Sequence, residues 1–389
     1  MRKVYMDYGA TSPVDKEVLE EMIPYFYKKF GNASSIHSYG IEAFDAIEES
    51  RAKVANIIGA TPEELIFTSG GTEADNLAIK GVAFLNKKKR GGKGYHIVTS
   101  SIEHPAVLET CRYMEKIGFN VKYLSVDKHG LIDLDELRES ISKDTFLFTI
   151  MFANHEIGTI EPMEEIGKIA KKNNITFHTD AIQAVAKTPI DVNKLNIDLL
   201  SISGHKIYAP KGVGALYIKK GVKIQTIAHG GGHEKGLRSS TYNTPGIVGL
   251  GKACEIGKQR LTKDMAHLKS LRDTLIKQVL EIEESHLNGH PEQRLVNNCH
   301  TRFTAIEGES LNMKLDDKGI ATATGSACSS KKLKASHILL AIGLKPEEAH
   351  GSLRLTLGRY NTKEDISYVV ENLKKAVKEL RNMSPLWNR

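Results

Sequence analysis

From about residue 60 to residue 260, short apolar runs alternate with longer stretches of helical period, the pattern of a parallel sheet joined by crossover helices. Leu65, Ile66 and Phe67 read as a buried strand. Thr72-x-x-Asp75 follows with capping-box spacing, and residues 74, 77, 78, 81, 82 and 85 then continue at the helical period. Residues 96–100 form another strand. Pro105 opens the next helix, at the one position where a missing N–H costs nothing. Segments 146–152, 175–178, 199–203 and 215–218 read as further buried strands. After about residue 262 the character changes: a charged helix over 264–284 leads into shorter strands, and 352–358 alternates apolar with polar. Thr362-x-x-Asp365 caps a last helix with apolar positions 366, 369, 370, 373, 377 and 380. The pattern predicts an α/β fold, a large domain with a mostly parallel sheet flanked by helices, followed by a smaller α+β C-terminal domain. The boundary falls near residue 260, giving 16–260 and 261–389.

Composition narrows the class. The chain has 389 residues, 40% hydrophobic and 26% charged, enough apolar material for a sizeable core without disulfide staples. Net charge is +7, from 54 Lys plus Arg against 47 Asp plus Glu, too modest an excess to point to nucleic acid. Lys87 to Arg90 reads as a solvated helix end. The four cysteines, at 111, 254, 299 and 328, have neither C-x-x-C nor zinc-ligand spacing and suit a reducing cytoplasm. No apolar run approaches the ~20 residues that span a bilayer, and the N-terminus lacks a signal-peptide pattern. A soluble cytoplasmic protein without membrane or direct nucleic-acid partners is expected.

Three segments carry candidate chemistry. Thr68-Ser69-Gly70-Gly71-Thr72 lies between a strand and a helix, where glycine allows close approach to an anion and the helix N-terminus offers N–H groups. Asp180, at the end of a buried strand, needs a cationic partner, and a protonated pyridine nitrogen would serve. Lys206, in Ser203-Gly204-His205-Lys206, stands at another strand mouth, where a lysine of lowered basicity can form a Schiff base. Taken singly, these are a tight turn, a helix cap and a surface lysine. Together, at strand C-termini in the order 68–72, 180 and 206, they describe one site. His104, at a further strand-to-helix junction, is placed to stack on a ring.

In these motifs the chain resembles the cysteine desulfurases of the iron–sulfur-cluster and nitrogen-fixation type, within the class V aminotransferase group of pyridoxal-phosphate (PLP) enzymes. Matching stretches run from Tyr5-Met6-Asp7-Tyr8 to Ser384-Pro385-Leu386-Trp387. They include Glu156-Ile157-Gly158-Thr159, 178–183, 203–214, 230–239, 325–330 and 354–360. The resemblance implies PLP fold type I and a homodimer, with residues 1–15 packing on the small domain. Lys206 would hold PLP, Asp180 would pair with its ring nitrogen, and Gln183 would bond its phenolic oxygen. Gly71, Thr72, Ser203 and His205 would bind the phosphate, joined by Thr241 from the other subunit. His104 would stack and act in acid–base steps, and Arg354, in Leu353-Arg354-Leu355, would face away from the core and grip the substrate carboxylate.

Cys328, in a run of small residues suited to a mobile loop (about 322–334), would take sulfur from L-cysteine as a persulfide, release alanine, and pass the sulfur to an acceptor such as an iron–sulfur scaffold. Lys331, Lys332 and Lys334 would favour its thiolate. No resident metal is implied, although Cys328 would be able to ligate an iron–sulfur cluster in transit. The chain departs from the family pattern at His155, where the family has an asparagine touching the phenolic oxygen. An imidazole also donates there and would add pH dependence. Ser240 replaces a usual glycine. Lys206 and Asp180 would serve a selenocysteine lyase or an aminotransferase equally well; only Cys328 speaks against the latter.

Overall fold

The computed structural model describes residues 2–90, 94–324 and 335–387. Its strands in chain order are β1 (Val4–Tyr5), β2 (Leu65–Thr68), β3 (His96–Ser100), β4 (Asn120–Leu124), β5 (Thr145–Thr149), β6 (Thr176–Asp180), β7 (Leu199–Ser203), β8 (Gly214–Ile218), β9 (Ser285–Leu287), β10 (Asn298–Phe303), β11 (Ile320–Ala321) and β12 (Ser352–Thr356). Seven of them form one sheet in the order β2-β8-β7-β6-β5-β3-β4. Its inner strands pair in parallel, and β8 alone runs against both neighbours, β7 and β2. Successive residues feed opposite faces. Phe67, Val98, Phe148 and Phe177 join one buried cluster, while Ile66, Ile97, Leu147 and Leu199 join the other. Covered on both faces, the strands carry near-continuous apolar runs.

Because β2, β3, β5, β6 and β7 all point one way, their carboxyl ends share one edge. Two helices start there. Pro105–Lys116 is capped by His104, as the Pro105 signal predicts. The other, Gly71–Arg90, starts earlier than the Thr72-x-x-Asp75 spacing predicts. Glu73, not Asp75, closes this turn, accepting the Ser69 N–H at 2.6 Å. Asp75 points inward and is fully buried, with an oxygen 3.7 Å from His178 Nε2. With side-chain-free Gly70 at the helix entry, the acid three positions later is residue 73.

A second core surrounds the antiparallel sheet β12-β10-β9. Val4 and Met6 are part of it, and β1 pairs with β11. The last helix, Lys363–Met383, begins at the expected Thr362 capping box. A further expectation is corrected. The long helix spans Thr244–Val279 rather than 264–284, because Asn243 caps it by accepting the Gly246 N–H, and glycines let it approach its neighbour: a Cβ on Gly251 would lie 2.7 Å from Ser50 Cα. Its first half joins the large core (Ile247, Leu250, Cys254) and its second half the other (Leu268, Leu271, Leu275). The alternating stretch forms β12, and every residue of β12 is buried. The N-terminal segment covers its polar face, with the Gly9 N–H donating to Thr356 Oγ1 at 2.7 Å.

The segment leading to Thr241 is anchored from the large core. Arg51 donates two hydrogen bonds to Glu234, at 2.7 and 2.8 Å, and Glu234 also accepts the Phe67 N–H of β2 at 2.6 Å. Glu234 is only 3% exposed. Glu234→Gln removes the buried counter-charge of Arg51 and leaves only the half-exposed Glu48, which Arg51 Nε meets at 3.0 Å. It should lower unfolding free energy by roughly 3 kcal/mol, read as a fall in the urea midpoint.

Candidate active site

At the shared carboxyl edge lies a cavity of about 390 Å³, a volume within the usual range for a small-molecule or cofactor site. Its lining brings together Gly71, Thr72, His104, His155, Asp180, Gln183, Ser203, His205, Lys206 and Arg354. Thr241 is exposed and outside this lining. Cys328 and the lysines at 331, 332 and 334 lie outside the described residues.

Topology explains the closest pairing. β6 ends at Asp180, which faces Ser201 on the parallel neighbour β7, and Lys206 follows the end of β7 on a single short turn. The Lys206 amine donates to the carbonyls of Gly9 (2.6 Å) and Ala10 (2.7 Å). Asp180 accepts the Ile182 N–H at 2.9 Å. Burial pushes its carboxyl up to about 6, against the opposing pull of that bond and of Lys206. Gln183 donates to Gly9 O, and His205 contacts Thr11 Oγ1 at 3.2 Å. Burial, then Lys206, hold the His205 imidazole down at about 4.

His104 Nδ1 accepts the Ala106 N–H at 3.1 Å, so the neutral ring carries its proton on Nε2. Burial, then Lys206 and His337, push this imidazole down to about 4. His155 meets it edge-on, centroids 5.0 Å apart. The pH dependence expected of His155 is corrected: burial, then His104 and Arg354, lower it well below the ordinary range, so the ring stays neutral.

Arg354 does turn away from the core that holds Leu353 and Leu355. It donates to Asp7 and to His155 O, each at 3.1 Å, while its buried Nε has no partner among the described residues. Glu156, also in the lining, accepts the Ser336 hydroxyl at 2.6 Å. Burial pushes it up to about 7, against that bond and Arg354. Sequence reasoning misses Asp7, Gly9 and Ala10 as site residues, although Asp7 lies in a matching stretch. Their contacts to Arg354 and Lys206 span 347, 197 and 196 positions, which no local pattern reports.

The chain matches the aminotransferase class-V family over residues 4–369. It is 56% identical over 385 residues to a protein named cysteine desulfurase IscS from Methanosarcina thermophila, covering 99% of this chain and 94% of that one. Among solved structures, a NifS-like protein superposes with TM-score 0.91 at 40% identity, covering 97% of this chain and all of the other. SspA in complex with cysteine superposes at 0.81 with 39% identity, covering 92% of this chain and all of that one.

The chain belongs to the cysteine desulfurase family of class V aminotransferases. Enzymes of this family depend on PLP, and the cavity fits that cofactor. A helix N-terminus suits its phosphate, a buried carboxylate its ring nitrogen and a lysine amine its aldehyde. The Gly71 turn leaves no room for a side chain there: a Cβ would lie 2.0 Å from Ile182 Cδ1. Gly71→Ala should drive Ile182 into the cavity and weaken PLP binding about tenfold, measured by equilibrium dialysis, with the melting temperature little changed.

Proposed function

We propose that the protein is a homodimeric cytoplasmic cysteine desulfurase. It converts L-cysteine to L-alanine and passes the sulfur, as a persulfide on Cys328, to an acceptor such as an iron–sulfur scaffold or a tRNA- or cofactor-thiolating enzyme. The observation that carries this reading is the convergence of Lys206, Asp180 and Arg354 on one cavity at the sheet's carboxyl edge. Bound PLP supplies an electron sink for negative charge at the substrate's α-carbon.

Around it, Lys206 would hold the aldehyde and move protons at its Nζ, Asp180 would pair with the ring nitrogen, and Gln183 and His155 would serve the phenolic oxygen. Gly71, Thr72, Ser203 and His205, with Thr241 from a second copy, would hold the phosphate. His104 would stack on the ring, donating from Nε2; protonating Nδ1 for acid–base work would cost its bond to Ala106. Arg354, braced by Asp7, would take the substrate carboxylate in the bidentate manner guanidinium favours. The Cys328 thiolate would take up the substrate sulfur as the carbon–sulfur bond breaks.

Several observations support the remaining parts. Ile36 is 96% exposed, and Phe26 and Phe30 are exposed beside it in sequence, an apolar surface of the kind a second copy covers. Cys111, Cys254 and Cys299 are buried free thiols, which suits a reducing compartment. No described helix is long and apolar enough to cross a membrane. The two cores support a division into a segment 1–15 packed on the small domain, a large domain 16–260 and a small domain 261–389 carrying the cysteine loop. The names of the relatives favour desulfuration over a selenocysteine lyase or aminotransferase.

Borohydride treatment of the PLP-loaded protein should fix the cofactor on Lys206, found by peptide mapping; modification elsewhere would refute the assignment. The Cys328→Ser variant should keep its visible absorption yet deliver no sulfur to an acceptor protein, and delivery at the wild-type rate would exclude the persulfide role. In the cofactor-free protein the Asp180 carboxyl, raised to about 6, gains a proton as pH falls and can then no longer pair with a cationic ring. PLP affinity should therefore drop between pH 7 and pH 5 by up to about tenfold, and Asp180→Asn should remove this part of the pH dependence.

A further inference from the structure

Because β8 runs against both of its neighbours, it begins at the edge where β2 and β7 end. Its first residue, Gly214, stands opposite Thr68 of β2 and Ser203 of β7. The packing is tight: a Cβ on Gly214 would lie 2.8 Å from the backbone of Gly70. The turn that enters β8, Pro210-Lys211-Gly212, therefore sits between the glycine turn and the segment that carries Ser203 and His205. It is held from two sides. The Gly204 N–H donates to Val213 O at 3.0 Å, and Asn243 Nδ2 donates to Gly212 O at 3.2 Å. Lys211 thus reaches the outer mouth of the cavity, a hollow of about 440 Å³ whose lining it shares with Gly71, Thr72, Ser203 and His205.

The residues assigned to the phosphate supply hydrogen bonds but no full positive charge. Gly71 and Thr72 offer a helix N-terminus, equivalent to about half a charge, and Ser203 and Thr241 offer hydroxyls. His205 is neutral near neutrality, its imidazole held down at about 4. A phosphate monoester there carries about −1.5 to −2 charges. The other charges of the region are already engaged. Glu73 lines the same mouth, but Arg238 meets it at 2.8 and 3.3 Å. Lys206 donates to the carbonyls of Gly9 and Ala10, and Arg354 to Asp7. Lys211 is left, an exposed amine in no ion pair among the described residues. After burial and Lys206, its charge is what weighs most on His205, so the amine lies close to the cradle.

We propose that Lys211 is the cation that recognises the cofactor's phosphate, a binding residue placed at the cavity mouth by the antiparallel entry of β8. Its amine supplies the charge that the hydroxyls and N–H groups of the cradle lack. The site thereby prefers a phosphorylated aldehyde to the same ring without phosphate. The inference rests on the reading of Gly71, Thr72, Ser203 and His205 as the phosphate cradle, and it deepens that reading by naming the source of its charge selectivity.

The test compares PLP with pyridoxal, which has the same ring and aldehyde but no phosphate, as ligands of the full-length protein stripped of cofactor. Equilibrium dialysis gives both dissociation constants, and the wild type should bind PLP far more tightly. Lys211→Met and Lys211→Gln should weaken PLP binding about tenfold and change pyridoxal binding by less than about twofold. Lys211→Arg, which keeps the charge, should stay within about threefold of the wild type for both ligands. Salt raised from about 0.05 M to about 0.5 M should erode the wild-type preference for PLP more steeply than that of Lys211→Met. Near-UV circular dichroism establishes that each variant is folded, and should Lys211→Met not fold, Lys211→Gln carries the same comparisons. Equal losses for PLP and pyridoxal would mean a lysine that merely shapes the turn, and would refute the proposal. A wild-type preference kept intact in the neutral variants overturns the role of Lys211 alone. A wild type that binds the two ligands equally overturns the phosphate cradle itself, and the proposal with it.

Discussion

A buried carboxyl and a half-buried amine at the ends of adjacent parallel strands govern this molecule. Asp180 terminates β6, and Lys206 stands one short turn past the end of β7; both line the cavity at the sheet's carboxyl edge. Neither charge is comfortable there without compensation. The amine is met by two carbonyls of the N-terminal segment, and the carboxylate by one backbone N–H and by the distant pull of the amine. Compensation is incomplete on the acid side, which is why its carboxyl rises. A ring carrying a proton on nitrogen supplies what is missing. The fold thus maintains an electrostatic deficit of a particular sign at a particular strand end, and a cationic heterocycle repairs it.

The first ten residues then tie this site to the second core. Val4 and Met6 are buried in the smaller core, Asp7 holds Arg354 of β12, and Gly9 and Ala10 hold Lys206 at the edge of the large sheet. One short segment therefore fixes the distance between the amine and the guanidinium. Arg354 further donates to the carbonyl of His155, in the wall facing it. Motion of the small core relative to the large sheet would strain these contacts together, so cavity shape and core packing are linked through a chain of direct hydrogen bonds.

What the sequence made legible follows from range. Strands β3 and β7, the Pro105 helix start and the Thr362 capping box are local in origin, and they appear where periodicity and cap chemistry place them. The glycine turn, Asp180 and Lys206 were legible because each follows a recognisable strand. Their convergence follows from parallel topology, since like-directed strands end on one side. The capping box at Thr72 misled because Gly70 allowed the helix to begin earlier, freeing Asp75 to turn inward. What covers the polar face of β12 was not legible, because the segment that buries it comes from the other end of the chain. For the same reason the partners of Arg354 and Lys206 were invisible: hydrogen bonds between the first ten residues and positions 206 and 354 leave no trace in spacing.

The titration behaviour of the site inverts the usual expectation that histidine sets the response near neutrality. His104 and His205 are held down at about 4, His178 at about 3, and His155 well below its ordinary value, all chiefly by burial. Each is neutral throughout the physiological range. Among the described residues around the cavity, the groups brought into the range between pH 5 and 8 are instead two carboxyls and an amine: Asp180 at about 6, Glu156 at about 7 and Lys187 at about 7. Their effects on stability carry opposite signs. The depressed imidazoles bind protons more readily in the unfolded chain, so their contribution is complete above about 6.5 and is lost as pH falls below it. Glu156 keeps a proton in the folded state that the unfolded chain has released, so stability declines as pH rises from about 4.5 to about 7. The two slopes oppose one another across the same interval. Net pH sensitivity of the fold is thereby reduced, while the charge state of the cavity itself continues to change.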